Sequence, residues 1–123
     1  MNEDTYKRFD NKTPNEVRAL ITEIGHHHLD TPGHGDPLED RQNDAPSLGE
    51  LLRMCELWPG STLEGYTISK PREDYRVSAD AIHLFSAELS LGFVQELLNL
   101  TTGADEAYIY EVLDGYEARI WWD

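Results

Sequence analysis

The first regular pattern along the chain is an apolar stripe at helical spacing, with Val17, Leu20, Ile21 and Ile24 at i, i+3, i+4 and i+7. Thr13-Pro14-Asn15-Glu16 in front of it predicts a capping box, with Pro14 at the first helical position, where its missing N–H is no loss. Gly25 is the expected stop. Residues 1–12 are polar and read as a flexible N-terminal arm. A second capping box, Ser47-Leu48-Gly49-Glu50, opens a helix with Leu48, Leu51, Leu52 and Cys55 on one face, ended by Trp58-Pro59-Gly60. Between the two helices, residues 26–46 carry Pro32, Gly33, Gly35, Pro37 and Pro46 among acids, and read as a long polar loop.

The periodicity then changes. Leu63–Ser69 and Asp74–Ala79 read as two strands joined by Lys70-Pro71-Arg72-Glu73. A four-residue loop would pair Ile68 with Tyr75 and Tyr66 with Val77 on one apolar face, leaving Thr67, Arg76 and Ser78 on a solvated one. A third helix is expected within Ser86–Thr101, carrying Leu89, Phe93, Val94, Leu97, Leu98 and Leu100 and stopped by Gly103. Asp114-Gly115 between two alternating runs then predicts a type I′ hairpin. That register pairs Leu113 with Tyr116, Ile109 with Ile120 and Ala107 with Trp122 on one face. The opposite face holds Val112 with Glu117, Tyr110 with Arg119 and Tyr108 with Trp121. The expected fold is a single α+β domain over 13–123. It has two N-terminal helices, then ββαββ, with a largely antiparallel four-stranded sheet and helices on one face.

Charge narrows the functions open to such a domain. Ten Lys and Arg stand against 24 Asp and Glu, a formal net charge of −14 in 123 residues. From Val77 to Asp123 there are nine acids and a single cation, Arg119, a net −8. Direct binding to nucleic acid or an anionic membrane needs the opposite sign of field, so neither is expected. A protein partner with a basic surface fits, including the cationic groove of a nucleic-acid enzyme. A solubility surface, or adaptation to high salt, explains the same charge without a partner. The 39% hydrophobic content suffices for a core, and a chain of this length buries about two-thirds of its unfolded surface. A lone cysteine, Cys55, excludes an internal disulfide, and Met1–Asp4 lacks the apolar run of a signal peptide. A cytoplasmic setting follows as the expectation.

Two short motifs invite chemistry. Asp30-Thr31-Pro32-Gly33-His34 resembles the switch motif of translational GTPases, but no phosphate-cradling GxxxxGK[ST] loop lies upstream. His26-x-His28-x-Asp30 resembles the opening of the metallo-β-lactamase motif, whose closing His is Thr31 here. Neither resemblance extends beyond those residues. No cofactor and no metal centre are expected. Were a metal bound, His26, His28, His34 and Asp30 would be its candidate ligands. Cys55 lies on an apolar helix face and the serines have no nucleophile-elbow context, so no catalytic residue is assigned and the chain is read as a non-enzyme.

The last hairpin carries the candidate binding site. Tyr108, Tyr110 and Trp121 cluster on one face, with Arg119 placed to stack on Tyr110. Asp105, Glu106, Glu111, Asp114 and Glu117 flank them. The face is exposed if it shares the outer side of the sheet with Thr67, Arg76 and Ser78, and buried if the 26–46 loop or the arm covers it. The leading expectation is a small acidic inhibitor, of the immunity or anti-defence kind by analogy of size and charge, that occupies a partner's basic surface. The alternative is an accessory protein, monomeric or self-associating as a homodimer through Tyr116–Trp122 as an edge strand. A metal-binding protein built on the histidine loop comes third.

Overall fold

Both capping boxes fix the helix starts. The structure, a computed structural model, describes residues 6–24, 38, 45–69, 75–101 and 103–122. Helix α1 (Pro14–Ile24) begins where Glu16 N–H donates to Thr13 Oγ1 and Glu16 Oε1 accepts from Thr13 N–H, at 3.3 and 3.0 Å. Helix α2 (Leu48–Leu57) begins with the same reciprocal bonds between Ser47 and Glu50. Helix α3 (Leu91–Leu100) is capped by Ser90, whose hydroxyl accepts from Phe93 N–H at 3.2 Å. The stripes bury as their spacing requires: Val17, Ile21 and Ile24 from α1, and Leu48, Leu51, Leu52 and Cys55 from α2. Burial pushes the Cys55 thiol up to about 12, so it is an inert core residue.

The sheet corrects the expected fold. It has five antiparallel strands, β1 (Tyr6–Lys12), β2 (Thr62–Ile68), β3 (Arg76–Ser86), β4 (Glu106–Val112) and β5 (Gly115–Trp121), in the order β1-β2-β3-β5-β4. The extra strand is β1, which precedes both early helices and occupies residues read as a loose arm. It is an edge strand with Phe9 as its one buried residue, so it carries no alternation to recognise. Residues 77–86 of β3, by contrast, are buried almost without interruption, because the strand is central in the sheet.

Side chains from all three helices enter one core with Leu63, Val77, Ala79, Ile82, Leu84, Ala118, Ile120 and Trp122 of the sheet. The helices therefore cover one face, and no described helix lies on the other. Two irregularities shape that outer face. Between β2 and β3, Gly65 pairs with Ala79 and Glu64 with Ala81, leaving Asp80 as the extra residue of a bulge. A Cβ on Gly65 would lie 2.0 Å from the Ser78 carbonyl oxygen, so close backbone approach demands glycine there. Between β1 and β2 the register also shifts between Phe9 and Lys12, and Asn11 takes a left-handed φ of 51°.

Two expected registers also change. Ile68 pairs with Arg76, Tyr66 with Ser78 and Thr67 with Val77, one residue away from the expected pairing. A one-residue slip exchanges faces, so Thr67 turns to the helix side and Tyr66 to the outer side. There Tyr66 stacks on Tyr6 at 5.5 Å and accepts a hydrogen bond from Arg76 at 3.1 Å. In the last hairpin Val112 pairs with Gly115, so the turn is Leu113-Asp114. Neither turn residue has positive φ, which excludes type I′. Gly115 serves packing instead: its Cβ would lie 2.4 Å from the Ser86 carbonyl oxygen. This shift is by two residues, and the two faces keep their members.

Candidate functional site

At the centre of the outer face a charged residue in an apolar strand has found its counter-charge. Glu64 of β2 accepts from Arg119 of β5 through both oxygens, at 2.7 Å from Nε and 3.2 Å from Nη2. His83 Nε2 of β3 lies 2.5 Å from Glu64 Oε2. The same nitrogen is 3.5 Å from Asp10, and His83 Nδ1 is 3.5 Å from Glu117. Register explains the gathering: Thr62, His83, Arg119 and Tyr108 form one row across β2, β3, β5 and β4. Glu64, Ala81, Trp121 and Glu106 form the next. The two bulges flank Glu64, and such irregularities re-aim side chains. Beside this cluster Arg8 of β1 pairs with Asp80 at 2.7 Å.

Burial alone would raise the Glu64 carboxyl. The hydrogen bond and charge of Arg119, with His83, more than offset that and hold it below the ordinary carboxylate range. Arg119 is correspondingly raised by its bond to Glu64. A carboxyl depressed on folding contributes stability that is complete above its unfolded value and is lost as pH falls through its folded value. The stability difference between the wild-type chain and Glu64→Gln, followed by urea unfolding, is thus expected to stay constant from neutral pH to the ordinary carboxylate range. Below that range it shrinks. A difference that grew toward acid pH would contradict the pairing. Asp10, Glu64 and His83 also bring three donor atoms within 4.8 Å of one another. Arg119 already occupies both Glu64 oxygens and sets a cation against them, which makes the arrangement an ion-pair strap across three strands rather than a metal cage.

The hairpin residues fall around this strap. Tyr108 pairs with Arg119 and Tyr110 with Glu117, in place of the expected partners Trp121 and Arg119. The Arg119 guanidinium is directed to Glu64 and lies 3.7 Å from Glu106, so it does not serve as a stacking group for Tyr110. Tyr110 instead donates to Glu117 at 2.7 Å. Burial and that hydrogen bond push its phenol up to about 12. Tyr108 and Tyr110 sit 6.1 Å apart, 50% and 39% exposed, while Trp121 is half-buried between Ala81 and Glu106. Asp105, Glu106, Glu111 and Asp114 are exposed and Glu117 is partly so. They do not make one facial patch. Glu106 and Glu117 share the outer face, Glu111 points to the helix side with its partner Tyr116, and Asp105 and Asp114 mark the two ends of β4. Together they ring that strand.

Asp10, Glu64 and His83 are the site residues that sequence reasoning missed. The available signal was Glu64 inside an apolar strand run and His83 inside Ala81–Phe85, since a charged group in such surroundings needs a partner. The proposed ligands His26, His28, Asp30 and His34 lie outside the described residues. No described helix is long and apolar enough to cross a membrane. No family model, curated protein or solved structure matches the chain.

Proposed function

We propose that this chain is a small acidic binding protein that occupies a basic surface of a protein partner, acting as an inhibitor. The observation that supports it best is the ring of Asp105, Glu106, Glu111, Asp114 and Glu117 around a strand that also displays Tyr108 and Tyr110. Carboxylates so placed steer a cationic partner into contact, and exposed aromatics supply area at the contact itself. On the outer face Glu64 and Asp80 are paired with Arg119 and Arg8 and Glu117 accepts from Tyr110, while the carboxylates of Glu106, Glu111 and Asp114 stand exposed around β4. The partner's surface would present cations where it ordinarily meets phosphate.

The test uses two immobilised chains, wild type and Glu106→Gln/Glu111→Gln/Asp114→Asn, loaded with an extract of the source cells at low salt and eluted in a salt gradient. The expected result is a discrete protein retained by wild type, released by salt and lost from the variant. Identical retention on both chains would overturn the assignment to the hairpin.

A further inference from the structure

The two edges of the sheet are built differently. β1 carries Lys7, Arg8 and Lys12, a register shift with the strained Asn11, and Pro14 just beyond it. Those are the devices by which proteins keep a further strand from adding to an edge. Of these β4 has charge alone, in Glu106 and Glu111. Its seven residues, Glu106–Val112, include no Lys, Arg or Pro, pair with β5 without a bulge, and are exposed at every position but Val112. No described strand lies beyond it.

The two faces of β4 also differ. On the helix side Ala107 and Ile109 border an apolar groove of about 160 Å³, walled by Leu97 of α3 and Thr101 at that helix's C-cap, and floored by Ala118 and Ile120 of β5. Ile109 is 45% exposed there. On the outer side stand Tyr108, Tyr110 and Glu106. A strand laid against this edge would therefore meet apolar surface beside Ala107 and Ile109, with Glu111 at the far end of that side, and aromatic rings with carboxylates on the other. Successive side chains of a strand point to opposite faces, so the matching segment alternates apolar and basic residues.

We infer that β4 is a strand-addition site for an extended segment of the partner with alternating apolar and Lys or Arg side chains. Apolar residues enter the groove beside Ala107 and Ile109, and cations lie over Tyr108 and Tyr110 toward Glu106 and Glu117. The inference rests on the basic partner proposed above and names the part of it that binds. Charge argues against a second copy as occupant. Pairing β4 with β4 brings two acidic rings together on chains of net charge −14, and β1 of another copy is broken by its bulge.

The probe is a fluorescein-labelled synthetic peptide of alternating valine and lysine, compared by anisotropy at low salt with the same peptide methylated on every backbone nitrogen. Charge and side chains are identical, but the methylated peptide cannot pair with a strand. The unmodified peptide is expected to bind at least tenfold more tightly and to slow hydrogen exchange of the β4 amides. Ile109→Lys, a change at an exposed position, is expected to weaken binding about tenfold with an unchanged melting curve. Equal binding of the two peptides would overturn strand addition while leaving the acidic-binder reading intact. Failure of both peptides to bind would count against both. A dimer in sedimentation that Ile109→Lys dissolves would assign the edge to a second copy and overturn the proposal.

Discussion

Replacing Arg119 by Met is expected to lower the stability of the fold by about 2–4 kcal/mol, a large share of the roughly 5–15 kcal/mol available to a domain. The change removes the bidentate donor of Glu64, whose side chain is only 12% exposed. His83 alone then faces a desolvated carboxylate that also repels Asp10 and Glu117, the two acids 3.5 Å from the imidazole. The loss comes chiefly from the stranded charge, not from the pair's intrinsic strength. Glu64→Leu in the Arg119→Met background is therefore expected to restore at least half of it, because exchanging both members of a buried pair for apolar groups is close to neutral. Urea unfolding of the two single variants and the double variant measures the coupling. Additive losses would show that the strap is not the unit described.

Trp122→Ala is expected to cost about 3–5 kcal/mol. Trp122 is the largest fully buried side chain, 1% exposed, and stands on the core face one residue beyond β5. Its backbone N–H donates to the Asp80 carbonyl at 2.9 Å, so Trp122 closes against the β3 bulge. The indole Nε1 is buried without a hydrogen-bond partner among the described residues. Trp122→Phe removes that unsatisfied donor along with some volume, and is expected to cost less than half as much as Trp122→Ala. Comparable losses for the two would show that the indole N–H has a partner.

How much of this was legible depended on the range of the interaction involved. The starts of α1 and α2 rest on contacts three residues apart, and Thr13–Glu16 and Ser47–Glu50 could be read directly. The stripes of Val17, Ile21 and Ile24 and of Leu48, Leu51, Leu52 and Cys55 need only the helical period. β1 needed knowledge of its neighbour: with Phe9 alone buried, only pairing with β2 marks it as a strand. The pairing of β2 with β3 turned on a one-residue choice that the side chains of Tyr66 and Val77 could not make, since both are apolar enough for a core. The final hairpin tolerated an error of two residues because alternation survives an even shift. Tyr108, Tyr110, Glu117, Arg119 and Trp121 therefore share the face assigned to them, though not the partners. The strap joins residues 64, 83 and 119 on three strands, with residue 10 from a fourth, and no local pattern could assemble it. The acids around β4 all lie between residues 105 and 117 of the chain, which is why the candidate interface could be seen before the fold.

The fold and the proposed function meet at that hairpin. The helix-covered face buries the core, the outer face spends Glu64 and Asp80 on Arg119 and Arg8, and the edge strand β4 retains exposed backbone, aromatics and acids. The most direct measurement is the salt dependence of affinity between the wild-type chain and the partner recovered on the column, determined from low to physiological ionic strength. Exposed carboxylates act through a field screened over about 8–10 Å at physiological salt, so the dissociation constant is expected to rise at least tenfold across that range, chiefly through a slower association rate. An affinity unchanged by salt would contradict the account.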